Sequence, residues 1–290
     1  MTIMVKYDII SIIYMKVGVS LKKKILVSIV AICLILSAAS VNASTPQTVS
    51  EYLIVIEQML DEGKYNETLS YTDIALKLDN KSEVLYFYKA RALTEIERYE
   101  EAIICYDKAL ALDPLYDAAY YWKGVTLSNM ERYTDAIICF DKSIELDPEY
   151  ADTYNLKGVC HEYLHDIRNA IKCYDKAIKL DPKLIAAYVN KGQTLDRSGK
   201  YKEAIDMYDK AIELDPKYAF AYNSKGKTYE NMNKIEKALE CYGKAIIADP
   251  NDVYAYNNKG IVQFYLGKEE EALKCFSKVI ELDPFFTVAY

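Results

Sequence analysis

The chain has no surplus of positive charge. Its 290 residues carry 36 Lys and Arg against 43 Asp and Glu, a formal charge of −7. Nucleic-acid binders neutralise phosphates with a basic face, so DNA and RNA are not expected partners. Histidine is nearly absent, at two residues, and no Ser/His/Asp set, Gly-rich phosphate loop or P-loop pattern occurs. No cofactor, small-molecule substrate or enzymatic activity is therefore expected. Tryptophan occurs once and phenylalanine seven times, yet there are 28 tyrosines. With 51% hydrophobic and 27% charged residues, the chain is too apolar to be disordered as a whole.

The N-terminus reads as an address. Lys22, Lys23 and Lys24 precede an apolar run from Ile25 to Leu36, and small residues lead to Ala43. A basic start, an apolar middle and a small-residue cut site make a secretory signal, with cleavage expected after Ala43. The alternative is a membrane anchor from Ile25 to Val41, at the short edge of the ~17–25 residues that span a bilayer. Met15-Lys16 is a tidier start than Met1. Cys33 follows the bulky Ile32, which argues against lipidation. Residues 1–43 hold five Lys and one Asp, so the remainder has 31 basic and 42 acidic residues and a net charge of −11. An exported or envelope-associated protein of that charge has no evident use for an anionic surface.

The prolines count out a period. Pro114, Pro148, Pro182, Pro216, Pro250 and Pro284 are each separated by 34 residues, and Asn80 stands where the series would begin. Seven units fill 49–82, 83–116, 117–150, 151–184, 185–218, 219–252 and 253–286. A fixed period of this size signals stacked supersecondary units. Tyr52, Tyr86, Tyr120, Tyr154, Tyr188, Tyr222 and Tyr256 share one place. Four residues on, Gly124, Gly158, Gly192, Gly226 and Gly260 recur, with Ile56 and Ala90 in the first two units. Ala102, Ala136, Ala170, Ala204, Ala238 and Ala272 share another place, followed after four residues by Tyr106, Phe140, Tyr174, Tyr208, Tyr242 and Phe276.

In the unit 185–218, Tyr188, Gly192 and Leu195 are spaced for one helix face, and Ala204, Tyr208, Ala211 and Leu214 for another. Gly199-Lys200-Tyr201 breaks them apart, and Asp215-Pro216 ends the second. Each unit is thus a helical hairpin, and small residues at the crossing let two backbones approach. One hairpin cannot bury both stripes, so neighbours must stack. The fold expected is all-α, an α-α superhelical solenoid of helical hairpins.

The pattern Tyr188-x2-Lys191-Gly192-x2-Leu195, Ala204-x3-Tyr208 and Pro216 resembles the tetratricopeptide repeat family, over all seven units. Two departures are systematic: Tyr replaces the usual Trp, and Lys89, Lys123, Lys157, Lys191, Lys225 and Lys259 replace the usual Leu. The first unit departs most, at Thr68, Thr72 and Asn80, as an N-terminal cap would. Thr287–Tyr290 begins an eighth unit and stops at its first diagnostic tyrosine. Either the gene is truncated, or the uncapped last hairpin meets a partner or a second copy of the chain.

Three constellations invite chemistry. His161-Glu162-Tyr163-Leu164-His165 matches H-E-x-x-H, the zinc-hydrolase spacing. The register opposes it, because His161 holds a core leucine place and His165 holds the turn place of Gly63, Gly199 and Gly267. No third ligand follows nearby, and no metal site is expected. Cys105, Cys139, Cys173, Cys241 and Cys275 share one place, at helix spacings too wide for a disulfide. They read as small apolar fillers, with Cys160–Cys173 the one pair close enough in sequence to test. The lysine row reads as long stems packed over the neighbouring helix, heads near Asp107, Asp141, Asp175 and Asp209.

By resemblance, the first helices line a concave groove that binds peptide segments of partner proteins. Residues just after the repeat tyrosines are the candidates: Phe87, Tyr88, Tyr121 and Trp122 in the first half, Asn155, Asn190, Asn223, Ser224, Asn257 and Asn258 in the second. Aromatics anchor and amides pair with a peptide backbone. A ligand with an apolar end and a polar extended end is expected. The basic set by which some family members clamp a terminal carboxylate is missing. The function expected is a non-enzymatic interaction scaffold. The alternatives are the regulatory repeats of a truncated enzyme and a membrane-anchored assembly factor.

Overall fold

The computed structural model describes residues 46–286. The signal or anchor of residues 1–43 and the start of an eighth unit at 287–290 lie outside the described residues. Fourteen α-helices and no strand occur among the described residues. They are α1 (Val49–Asp61), α2 (Tyr65–Leu78), α3 (Glu83–Glu95), α4 (Tyr99–Leu112), α5 (Asp117–Asn129), α6 (Tyr133–Leu146), α7 (Ala151–Tyr163), α8 (Ile167–Leu180), α9 (Ile185–Arg197), α10 (Tyr201–Leu214), α11 (Ala219–Asn231), α12 (Ile235–Ala248), α13 (Val253–Tyr265) and α14 (Glu269–Leu282). None of the described helices is long and apolar enough to cross a membrane.

The chain divides between Cys160 and His161 into two compact units. In the first, α1–α2, α3–α4 and α5–α6 pair as hairpins that stack on one another; in the second, α9–α10, α11–α12 and α13–α14 do the same. The all-α, hairpin-solenoid class expected from the period is what these helices form.

Two kinds of ending fix the length of every helix. Odd-numbered helices close with a backbone bond reaching back five residues, such as Lys200 N–H to the Leu195 carbonyl at 2.9 Å and Arg132 N–H to Leu127 at 2.9 Å. That closure needs a left-handed residue. Gly63, Glu97, Glu131, His165, Gly199, Asn233 and Gly267 supply it, with φ between 57° and 75°. The even-numbered helices end on Asp-Pro or its variant Asp79-Asn80. Asp215, extended in front of Pro216, accepts the backbone N–H of Lys217 at 2.9 Å, and Asp113, Asp181 and Asp249 do likewise. The aspartate side chain thus replaces the helix bond that proline cannot extend.

Packing within a hairpin turns on one contact. A Cβ placed on Gly192 would stand 2.7 Å from the Tyr208 ring, and one on Gly226 would stand 2.6 Å from the Tyr242 ring. Gly124 faces Phe140 and Gly260 faces Phe276 in the same way. The ring lies flush on bare backbone, and Tyr106, Phe140, Tyr174, Tyr208 and Tyr242 are all fully or almost fully buried. The tyrosines that open each unit are only half-buried after Tyr52. Tyr154 and Tyr188 donate their hydroxyls to the carbonyls of Pro148 and Pro182, at 3.3 and 3.2 Å.

Between hairpins, the lysine row meets the aspartates. Lys89 pairs with Asp73 at 2.5 Å, Lys123 with Asp107 at 2.5 Å and Lys191 with Asp175 at 2.6 Å, and Lys157 and Lys225 meet Asp141 and Asp209. The aspartates are about half-exposed, so each pair adds at most about 1 kcal/mol. The pairs therefore set register between neighbours more than they hold them. Lys259 breaks the row, because Gly243 stands where its aspartate would.

The two kinds of glycine separate by experiment. Gly243 sits inside α12 with open space around its would-be Cβ. Gly243→Ala is expected to raise stability by about 0.5–1 kcal/mol through helix propensity alone. Gly226→Val must displace the buried Tyr242 ring and is expected to cost about 2 kcal/mol. Urea melts of the two variants check the opposite signs.

Candidate functional site

Glu162 of the H-E-x-x-H run is wholly engaged. Its carboxylate accepts from the Tyr174 hydroxyl at 3.0 Å and from Thr194, and pairs with Arg197. His161 lies 3.5 Å from Asp166, and His165 stands at the left-handed turn, exposed, past the end of α7. The two histidines therefore do not share one helix face with the Glu between them. Among the described residues no group of three or more His, Cys, Asp or Glu side chains is placed to hold a metal ion.

The thiols are placed for packing. Cys105, Cys139, Cys160, Cys241 and Cys275 are buried, and no disulfide forms among the described cysteines. Burial pushes all five thiols up, Cys139 to about 11, so little nucleophilic thiolate is present near neutrality.

In the first unit the candidate aromatics split. Phe87 has no exposed surface: it packs 5.0 Å from the Tyr116 ring and 6.3 Å from Tyr106. This corrects its placement as a groove residue, since a fully buried side chain belongs to the core. Tyr88 is 5% exposed and donates its hydroxyl to Glu57, whose carboxyl burial pushes above its ordinary value. Tyr121 and Trp122 are half-buried, edge-to-face at 5.4 Å, with Tyr150 packed 5.3 Å from Tyr121. Arg91 lays its guanidinium 3.5 Å from the centre of the Trp122 ring. Asn155 is almost wholly buried.

In the second unit, Asn190, Asn223, Ser224 and Asn258 are half-buried. Asn258 donates its amide to Asn223 at 3.0 Å, bridging α11 and α13. Asn231 spans α9 and α11 in the same manner, donating to Asp196 at 3.0 Å. Asn257 is 6% exposed, and its side-chain oxygen is buried with no hydrogen-bond partner. The large exposed aromatics here include Phe220, Tyr254, Phe264 and Tyr265, none of them among the sequence candidates. A recurring position could have found two of them: Phe220 and Tyr254 each stand two residues before the repeat tyrosine. Arg91 and Lys227 share another such position, one turn past the candidate places.

The buried phenols carry a pH signature. Burial pushes Tyr106 to about 12 and raises Tyr174, Tyr208 and Tyr242 well above the ordinary value, the last helped by its bond to Glu230 at 2.5 Å. A raised folded value leaves stability intact below about pH 10, where unfolded tyrosine ionises, and erodes it as pH climbs through the folded value. Absorbance at 295 nm follows phenol ionisation as the pH is raised. The buried set should ionise only with loss of helical circular dichroism.

Comparison with known proteins agrees with this geometry. The tetratricopeptide repeat family model matches residues 118–150, 151–184, 185–218, 219–252 and 253–286, and a related TPR repeat model matches 90–130. No curated protein matches the chain. Solved structures similar to it include YrrB, a TPR protein with an unusual peptide-binding site. It is 29% identical with TM-score 0.51, covering 63% of this chain and 95% of that one. MamA is 28% identical with TM-score 0.50, covering 56% and 94%. A tetratricopeptide repeat protein from Parabacteroides merdae shares the fold alone, at 16% identity and TM-score 0.68 over 84% and 96%. The chain belongs to the tetratricopeptide repeat family, and its repeats make it a protein–protein interaction scaffold.

Proposed function

We propose that the protein is a non-enzymatic scaffold that binds extended peptide segments of partner proteins on the faces of its first helices, outside the cytoplasm. The observation that carries this is the Asn258–Asn223 rung. Two half-buried amides from adjacent repeats share one hydrogen bond, which leaves each with further donors and acceptors. A peptide backbone offers the matching N–H and C=O groups in extended form. Trp122 and Tyr121 supply aromatic surface in the first unit, and Phe220 and Tyr254 in the second. YrrB, whose structure is described by its peptide-binding site, supports the same use of the repeats here. The basic, apolar and small-residue order of residues 22–43 supports export, with the anchor as its alternative.

The test is affinity capture by the full chain from envelope and cytosolic extracts of the producing cells. Trp122→Ala and the Asn223→Ala/Asn258→Ala pair are expected to keep their circular dichroism and lose about tenfold or more of the captured partner. Unchanged capture by both variants overturns the groove assignment. N-terminal sequencing of the native protein decides its anchoring: Ser44 as first residue means cleavage, and an intact N-terminus in the membrane fraction means an anchor.

A further inference from the structure

Three Asn-x-Ser/Thr runs occur in the chain, all before the second repeat: Asn42-Ala43-Ser44, Asn66-Glu67-Thr68 and Asn80-Lys81-Ser82. This is the acceptor pattern for N-linked sugars, a hydroxyl two residues past the asparagine with no proline between. The other ten asparagines lack it. Cleavage after Ala43 divides the first run, and the other two belong to the first repeat. Both are made by departures of that repeat from the period. Asn80 stands where six later repeats have proline, and Ser82 where they have Tyr, Leu, Asp or Phe. Thr68 stands in the alanine place.

The turn itself does not call for Asn80. Asp79 accepts the N–H of Lys81 at 2.9 Å, the same bond that closes the proline-containing turns. Asn80 is exposed there, and no hydrogen bond joins its side chain to any described residue. Asn66 is exposed in the first turn of α2. The two hydroxyls are engaged. Ser82 accepts the Leu85 N–H at 3.3 Å to start α3, and the fully buried Thr68 donates to the Lys64 carbonyl at 2.9 Å. An enzyme that reads those hydroxyls therefore acts before the hairpin closes, and the fold then leaves each asparagine in solvent. The hairpin is polar elsewhere too. Glu51 is exposed at the place of the buried Leu85 and Ala119, and Gln58 at that of the buried Ala92 and Thr126.

We propose that Asn80, exposed in the turn between α2 and α3 and followed by Ser82, is a site of N-linked glycosylation, with Asn66 a second acceptor on the same hairpin. The donor is an oligosaccharide carried on a lipid diphosphate. The Asn80 Nδ2 bonds to C1 of the first sugar as the bond from C1 to the diphosphate oxygen breaks. The amide proton passes to a base of the transferase, and the lipid diphosphate leaves. Nothing is oxidised or reduced. This rests on the export reading above, because the sugars are added to chains that have crossed the membrane.

The test is mass spectrometry of the full chain purified from the producing cells. Cleavage after glutamate separates the two sites, Asn66 on 63–67 and Asn80 on 68–83. The 68–83 peptide is expected to carry extra mass in whole sugar residues. Asn80→Gln and Ser82→Ala are each expected to abolish it. S82T keeps the hydroxyl and is expected to retain it, a distinction that a modification blind to the pattern would not make. An unmodified Asn80, or a mass that survives Ser82→Ala, overturns the proposal whatever Asn66 carries. N-terminal sequencing of the same sample separates that failure from a failure of export. Ser44 as first residue with a bare Asn80 leaves export standing. An intact N-terminus in the cytosol with a bare Asn80 overturns export, and the proposal with it. The mass of the wild-type peptide decides the matter even if a variant does not fold.

Discussion

The structure depends on an aromatic ring lying against bare backbone. In four of the hairpins that ring would clash with any Cβ on the first helix, at 2.6–2.8 Å. Because no side chain intervenes, the two helices approach closely, and the ring fills the space that the approach creates. Hairpins so closed stack with a recurring Lys–Asp pairing between neighbours. At the equivalent places the second repeat has Ala90 and Tyr106, and the first has Ile56 and the smaller Thr72, all of them buried. In the first repeat the exchange is volume-conserving: Ile56 adds atoms on the first helix and Thr72 gives them up on the second.

The recurring tyrosines have separate physical roles. Those on the second helices are sealed, and two of them reach carboxylates on the preceding helix, Tyr174 to Glu162 and Tyr242 to Glu230. Those opening each unit after the first are half-buried, and Tyr154 and Tyr188 tie their hydroxyls to proline carbonyls at the turn. Tyr116, Tyr150 and Tyr218 form a further row just before the first helices, packing against Phe87, Tyr121 and Phe220. Tyrosine serves where a large ring is needed and its far end reaches a polar group.

The architecture was legible because every unit repeats the same requirements. The interval between prolines gave the hairpin, the glycine places gave the close crossing, and the lysine row with its aspartates gave the register. His165 reads as a turn residue from its place alone, and its φ of 60° agrees. The candidate surface was less legible, because a period says which residues are equivalent without saying how deeply each is sunk. Phe87 and Tyr121 hold the same place, yet one is core and the other half-buried. Their ring neighbours are equivalent, Tyr116 and Tyr106 for Phe87 and Tyr150 and Phe140 for Tyr121, so the depth of each is read from the fold and not from the identity of its neighbours.

The sequence by itself determined the helices, their ends and their partners within a hairpin. Those are set by short-range rules: proline stops a helix, a left-handed residue turns it, and spacing of three and four makes a face. Only the tertiary structure decided which polar groups are spent and which are left over. Glu162 looks like a catalytic residue in the sequence and is consumed by Tyr174, Thr194 and Arg197 in the fold. Arg91 looks unremarked in the sequence and emerges stacked on Trp122 with no acid of its own. Hydrogen bonds and ion pairs between repeats join residues 16 to 35 positions apart, so their accounting closes only when the hairpins are stacked.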